Sequence, residues 1–371
     1  MSASFSNGHR PPFHAEHIGS LLRPAELKAA YRARAEGKLD AAGLDAVVAR
    51  CIVDAIRLQE EAGLESITDG EFRRGSWFLG FVQAVEGLST RPALFNFQGD
   101  HGAWECAYAH GKVKRTGSIT VDEFKFVHAH THRTPKVTMP TPSAVLFYRG
   151  EEAADRKVYP RLEALYDDLV EVYRAELREL AAAGCSYVQL DEVPLAMLCD
   201  PAVRAQAKKR GDDPAALIKL YVDLINAVVA GRPKGMTIGL HLCRGNYKGQ
   251  WMAAGGYAPV AEELFGRAGV DAFFLEYDTE RAGDFAPLAA IPRDKKVVLG
   301  LVSTKTPETP SAEDLVRRVE AAAKIVPLER LAVSPQCGFA SSVGGNPVTL
   351  ADERKKLGLV ADVARRIWGS N

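Results

Sequence analysis

Three segments of the chain share one pattern of apolar and polar positions. EEAGLESITDGEF (60–72), AAAGCSYVQLDE (181–192) and GRAGVDAFFLEYD (266–278) each read as a helix end, a glycine stop and a short apolar run closing in acids. Gly63, Gly184 and Gly269 suit the position after a helix, where Ala-Gly signals termination. The apolar runs do not alternate, as expected of strands covered on both faces. Helical periodicity fills the intervals, over 41–62, from Arg161 to Gly184, from Asp213 to Gly231, and from a capping box at Ser311. Five further strand candidates are AEHIGS (15–20), KVTMPTP (136–142), GMTIGLHLC (235–243), KVVLGLV (296–302) and RLAVSPQ (330–336).

Eight strands alternating with helix-length segments predict an α/β fold, a (β/α)8 TIM barrel formed as one domain over 1–371. A doubly wound sheet is the rival, but neither a GxGxxG after a first strand nor a Walker sequence is present. The pattern lapses between about 75 and 133, where KVKRTGSITVDEF has the composition of a hairpin. That region is expected to be a β-rich insertion after strand 2 that covers the barrel mouth. Within it, HAHTH (128–132) places His128, His130 and His132 on what reads as a solvated edge strand rather than a second metal site.

Composition removes several function classes. Lys+Arg and Asp+Glu both total 47, so no basic excess points to nucleic acid. No apolar run is long enough for a membrane span, and the first residues lack the apolar core of a signal peptide, so a cytoplasmic protein is expected. The six cysteines contain no CxxC and read as free thiols.

Barrel geometry gives the strand ends their meaning. In GLHLCRGN, His241 and Cys243 project from the same face at the end of the fifth strand. Alone, the pair reads more readily as core filling than as chemistry. Glu276 ends the sixth strand and Cys337 follows the eighth, so all four residues fall on one rim. An imidazole, two thiolates and a carboxylate form a set that suits Zn²⁺, and zinc would hold an incoming thiol as a nucleophilic thiolate.

HIGSLLRP (17–24), ITDGEFRR (67–74), VQLDE (188–192), HLC (241–243), FFLEYD (273–278) and SPQCGFAS (334–341) together resemble the C-terminal catalytic barrel of cobalamin-independent methionine synthase, in a short single-barrel form. The resemblance runs from about residue 14 to the end. It implies a methyltransferase that passes a methyl group to a thiol, normally homocysteine, giving methionine. It also implies that His241, Cys243, Glu276 and Cys337 are zinc ligands, and that Ser20, Glu71 and Asp191 hold the amino and carboxylate groups of homocysteine. Two acids gripping an ammonium make chemical sense. His17 is expected near the mouth, in contact with substrate or donor, and Trp77 with Phe78 as an apolar wall.

The sequence also departs from the family pattern. Lys305 stands where the family has a catalytic histidine, and it would serve as a general acid only with a lowered pKa. Pro142 falls where an aromatic stacks on the pterin, which leaves the methyl donor open. The partners expected are therefore a small-molecule thiol and an unnamed methyl donor, with homo-oligomerisation open. A related reading keeps the zinc thiolate but changes the electrophile, as in epoxyalkane:coenzyme M transferases. A third, a metal-free barrel related to uroporphyrinogen decarboxylase, would make His241 and Cys243 core.

Overall fold

The apolar runs become parallel strands because each is sandwiched between barrel interior and helices, which rewards burial on both faces. The computed structural model describes residues 10–95 and 104–369. Its strands are β1 (Ser66–Ile67), β2 (Val85–Pro92), β3 (Glu105–Arg115), β4 (Thr134–Pro135), β5 (Val137–Pro140), β6 (Tyr187–Glu192), β7 (Thr237–Leu242), β8 (Ala272–Glu276), β9 (Lys296–Val302) and β10 (Leu331–Pro335). β5 to β10 form one parallel sheet in sequence order, and β1 pairs in parallel with β4, which leads through Lys136 into β5.

The first stave is the extended segment around Ala15, which bridges Val333 of β10 in parallel. Glu16 N–H donates to the Val333 carbonyl at 2.9 Å, and Val333 N–H donates to the His14 carbonyl at 2.9 Å. On its other side the segment meets β1, where the Thr68 hydroxyl donates to the Gly19 carbonyl at 2.7 Å. These contacts close the ring of eight staves. The helices Ala41–Glu61, Glu163–Ala182, Pro214–Ala230 and Ala312–Ala323 match the periodic segments read from the sequence. Ser311 caps the last of these by accepting from Asp314 N–H. Among the described residues no helix is long and apolar enough to cross a membrane.

The barrel floor is polar but paired. Glu16 and Lys136, both fully buried, form an ion pair at 3.0 Å inside the ring of strands. Tyr187, Phe274, Val298 and Ala332 pack around the barrel axis with Ile18.

The insertion holds an antiparallel hairpin, but not where KVKRTGSITVDEF suggested. β2 pairs with β3, with Ser89 opposite Tyr108, and β3 ends at Arg115. Residues Val121–His130 form a helix instead, because Val121, Phe124 and Val127 recur every third position and are buried together. The histidines expected on an edge strand follow that change. His128 stacks on Phe124, and His130 Nδ1 lies 2.7 Å from the Phe126 carbonyl at the helix end.

Candidate metal and thiol site

Strand β7 carries His241 into register with Asp191 of β6 and Phe274 of β8. The ladder continues one residue past β7, where Cys243 N–H donates to the Glu192 carbonyl at 3.2 Å. His241 and Cys243 therefore point to the same side at the carboxyl rim, as strand alternation requires. Cys337 arrives from the turn after β10, where Gln336 N–H donates to the Val302 carbonyl at 2.9 Å. The next residue has to be glycine, since a Cβ at Gly338 would lie 1.9 Å from Ser20 Oγ.

The result is a compact set of donor atoms. One ligand atom from each of His241, Cys243 and Cys337 lies within 4.8 Å of the others, and all three residues are buried. The two sulfurs are 3.3 Å apart. Neither ring nitrogen of His241 has a hydrogen-bond partner among the described residues. Buried imidazole nitrogens are ordinarily satisfied, so an unpartnered ring with one nitrogen beside two thiols fits a bound cation. The contact from Cys243 draws the Cys337 thiol well below its ordinary pKa despite burial, with His241 and Lys305 assisting. The same contact, together with burial, pushes Cys243 well above its own. It is the only such cluster among the described residues, and the three histidines of HAHTH form none.

Glu276 was expected as the fourth ligand, but the structure turns it elsewhere. Its Oε1 pairs with Arg281 and lies 3.6 Å from Lys305 Nζ, while Oε2 accepts from Arg244 N–H at 3.0 Å. Burial alone would raise its pKa, yet Lys305, Arg281 and Arg244 outweigh burial and hold it at about 2. The expectation for Lys305 also changes. Burial works against its charge, but Glu276, Cys337 and Asp278 win and raise its pKa. A lysine held as a firm cation fails the condition set for a general acid.

The acids of the pocket are close by. Glu71, Asp191 and Ser20 line the same pocket as His241, Cys243 and Cys337. Glu71 sits at φ 60°, a conformation costly for a side-chain-bearing residue. Its N–H donates to Asp69 Oδ1 at 2.8 Å, and Arg23 donates to its carbonyl at 2.5 Å, which pins the turn. One carboxylate oxygen accepts from Thr138 at 2.9 Å, and the other has no partner among the described residues. Burial raises the Glu71 pKa against the pull of Arg74 and Arg23. Asp191 accepts from Gln189 at 2.7 Å, and burial lifts its pKa to about 7.

His17 does not join them. Its Nε2 donates to the Ser66 carbonyl at 3.1 Å and the ring is sealed in the wall between the first stave and β1, away from the pocket lining. Residue parity explains this: Glu16 faces the barrel axis, so His17 cannot. Trp77 does line the pocket, with Phe78 packed edge-on at 5.5 Å behind it. Residues not anticipated from sequence are Tyr148, Trp104, Met252 and Asn246. Tyr148 and Trp104 meet edge to face at 4.7 Å. Tyr148 was hidden in an apolar run, and Trp104 in an insertion without helical or strand periodicity up to that point.

A family model described as the catalytic domain of cobalamin-independent synthase matches residues 13–365. This chain belongs to the cobalamin-independent methionine synthase family. The family is one of methyltransferases. YxjH of Bacillus subtilis (strain 168), described as an uncharacterized protein, is 36% identical over 97% of this chain and 96% of its own. The methionine synthase of Pyrococcus furiosus is 27% identical over 87% of this chain and 85% of its own. A solved structure from Listeria monocytogenes, described provisionally as a vitamin-B12-independent methionine synthase, is 33% identical and superimposes with a TM-score of 0.76, covering 97% of this chain and 99% of that one. The barrel expected from the strand count is thus the barrel of a methionine synthase-family enzyme.

Proposed function

We propose that this barrel is a zinc-dependent methyltransferase that activates the thiol of homocysteine and yields methionine. The observation that carries this reading is the buried His241–Cys243–Cys337 cluster in a pocket whose lining also holds Glu71 and Asp191. His241, Cys243 and Cys337 would hold the ion, with Glu276 as the fourth, weaker ligand on release from Arg281. Zinc supplies the charge that keeps a bound thiol deprotonated near neutral pH. Glu71 and Asp191 would grip the amino group of the acceptor, while the Ser20 hydroxyl and nearby backbone N–H groups take its carboxylate. Lys305 stays a cation beside Glu276 and balances the negative charge that two thiolates and a carboxylate bring together.

The insertion acts in this reading as a cover over the mouth, since Trp104, the residue before β3, reaches the pocket lining. Alkyl transfer to another thiol is the alternative, as in epoxyalkane:coenzyme M transferases. Two carboxyls suit the ammonium of an amino-acid thiol and oppose a sulfonate. The test is metal analysis of purified protein with a comparison of homocysteine and coenzyme M as acceptors. About one zinc per chain, lost in Cys337→Ala, with homocysteine preferred, is the expected result. Protein without zinc whose activity survives Cys337→Ala would overturn the reading.

A further inference from the structure

We propose that Arg74 and Thr138 are positioning residues for the amino group of the acceptor: they occupy one oxygen of Glu71 and leave the other free for the ammonium, while Glu123 of the insertion fixes Arg74 in place. The inference rests on the acceptor reading above and names the residues that make its amino-group subsite selective.

Glu71 Oε1 accepts from Thr138 Oγ1 at 2.9 Å, and Thr138 Oγ1 in turn accepts from Arg74 Nη1 at 2.9 Å. Arg74 Nη2 donates to the Thr138 carbonyl at 2.8 Å, so one guanidinium grips both polar groups of that residue. Glu71 Oε2 has no partner among the described residues, although its side chain is only 4% exposed. Buried carboxylate oxygens are ordinarily satisfied, so this geometry reserves one of them for a donor that arrives with the substrate. Gly19 of the first stave closes the other side, where a Cβ would lie 2.7 Å from Thr138 Cγ2 and 3.4 Å from Glu71 Oε1.

Asp191 repeats the arrangement on the next strand. Thr138 of β5 stands in register with Gln189 of β6. Gln189 Nε2 donates to Asp191 Oδ1 at 2.7 Å and to the Ile18 carbonyl at 2.6 Å. Two neutral side chains of one barrel layer thus each hold one acid of the rim without cancelling its charge.

Glu123 keeps Arg74 from cancelling it either. Arg74 Nη2 donates to Glu123 Oε2 at 2.6 Å and Nε donates to Oε1 at 3.3 Å, whereas the nearest approach of the guanidinium to Glu71 Oε1 is 3.8 Å. The closer partner takes the larger share of the positive charge, and Glu71 retains its attraction for an ammonium. A planar fork is needed to serve Thr138 and Glu123 together, which a lysine cannot do. Glu123 belongs to the helix Val121–His130, so the insertion reaches Glu71 through Arg74. Arg74, Thr138 and Glu123 all lie outside the pocket lining, and they act on the acceptor only through Glu71.

Calorimetry on the zinc-loaded protein tests this by comparing homocysteine with 4-sulfanylbutanoic acid, the same thiol acid without its amino group. One charge-assisted hydrogen bond is worth roughly tenfold, so two acids should give the wild type a preference for homocysteine of roughly a hundredfold. Thr138→Val keeps the shape and removes the hydroxyl, and it should reduce that preference to about tenfold. Arg74→Met should do the same, and Arg74→Lys should retain more of the preference than Arg74→Met. Zinc measured on the same preparations should stay near one per chain. Thr138→Val/Glu71→Gln should be no less selective than Glu71→Gln alone, because the hydroxyl acts through that carboxylate. An unchanged preference in Thr138→Val, or an equal weakening of both ligands, overturns the positioning role and leaves the thiol site standing. Wild-type protein that holds zinc yet binds the two ligands alike overturns the amino-acid acceptor reading together with it.

Discussion

Replacing Lys136 by methionine should cost this barrel about 3 kcal/mol, a figure that follows from what surrounds Glu16. Both side chains are fully buried, with Nζ 3.0 Å from Oε2. Lys136 also donates to the His17 carbonyl and lies 5.1 Å from the centre of the Phe274 ring. Methionine keeps the volume but leaves a carboxylate in the barrel interior with no cation in contact. Removing one partner of a buried pair typically costs about 3–5 kcal/mol. Three neutral donors remain on Glu16, namely Ser66 Oγ at 2.7 Å, Tyr187 Oη at 2.8 Å and Phe13 N–H at 3.1 Å. They place the expected loss at the low end of that range. Urea unfolding of the wild type and variant at neutral pH, extrapolated to water, measures it. The double variant Glu16→Gln/Lys136→Met should recover at least half of the loss, because no charge is then left buried. A loss below about 1 kcal/mol, or a double variant no better than the single, would refute the account of the barrel floor.

The remaining expectations concern pH, packing and the pocket. Glu353 accepts from Leu22 N–H at 2.8 Å in a buried position, and burial raises its pKa to about 8. The folded state then binds that proton more tightly than the unfolded chain, so stability falls as pH rises from the ordinary carboxyl value towards 8. Melting curves of Glu353→Gln between pH 5 and 8 should slope less steeply than those of the wild type, and parallel curves would contradict this. Gly338→Ala drives a methyl group into Ser20 Oγ, and should lower stability by about 1–3 kcal/mol together with zinc content, both measured on one preparation. Glu71→Gln and Asp191→Asn should raise the KM for homocysteine at least tenfold with a smaller effect on kcat, as steady-state kinetics would reveal. Stripping the metal with a chelator should lower the melting temperature by several degrees, and re-addition of zinc should restore it.

The barrel and the meeting of His241, Cys243 and Cys337 were legible in the chain because both depend on local rules. Glycine stops, unbroken apolar runs and acids at strand ends recur at 60–72, 181–192 and 266–278, and the staves stand there. His241 and Cys243 share a face through alternation alone, and Cys337 joins them because parallel strands bring their carboxyl ends to one rim. What the chain did not disclose depends on neighbours far away in sequence. Glu276 is drawn off by Arg281 and the Arg244 amide, and Lys305 becomes a firm cation through groups on three other loops. The parity that hides His17 follows from Glu16 facing the axis, which only the closed barrel establishes. The helix Val121–His130 won over a hairpin because a three-residue apolar spacing found a core to bury against. Trp104 and Tyr148 lie more than forty positions apart in sequence and meet edge to face in one pocket lining only in the folded chain. Sequence by itself determined the barrel's strands and main helices and brought His241, Cys243 and Cys337 to the rim, since period and alternation are properties of the backbone. The tertiary structure alone decided which charges pair, which rings meet and which of the candidate ligands stand together, since those are set by contacts between staves.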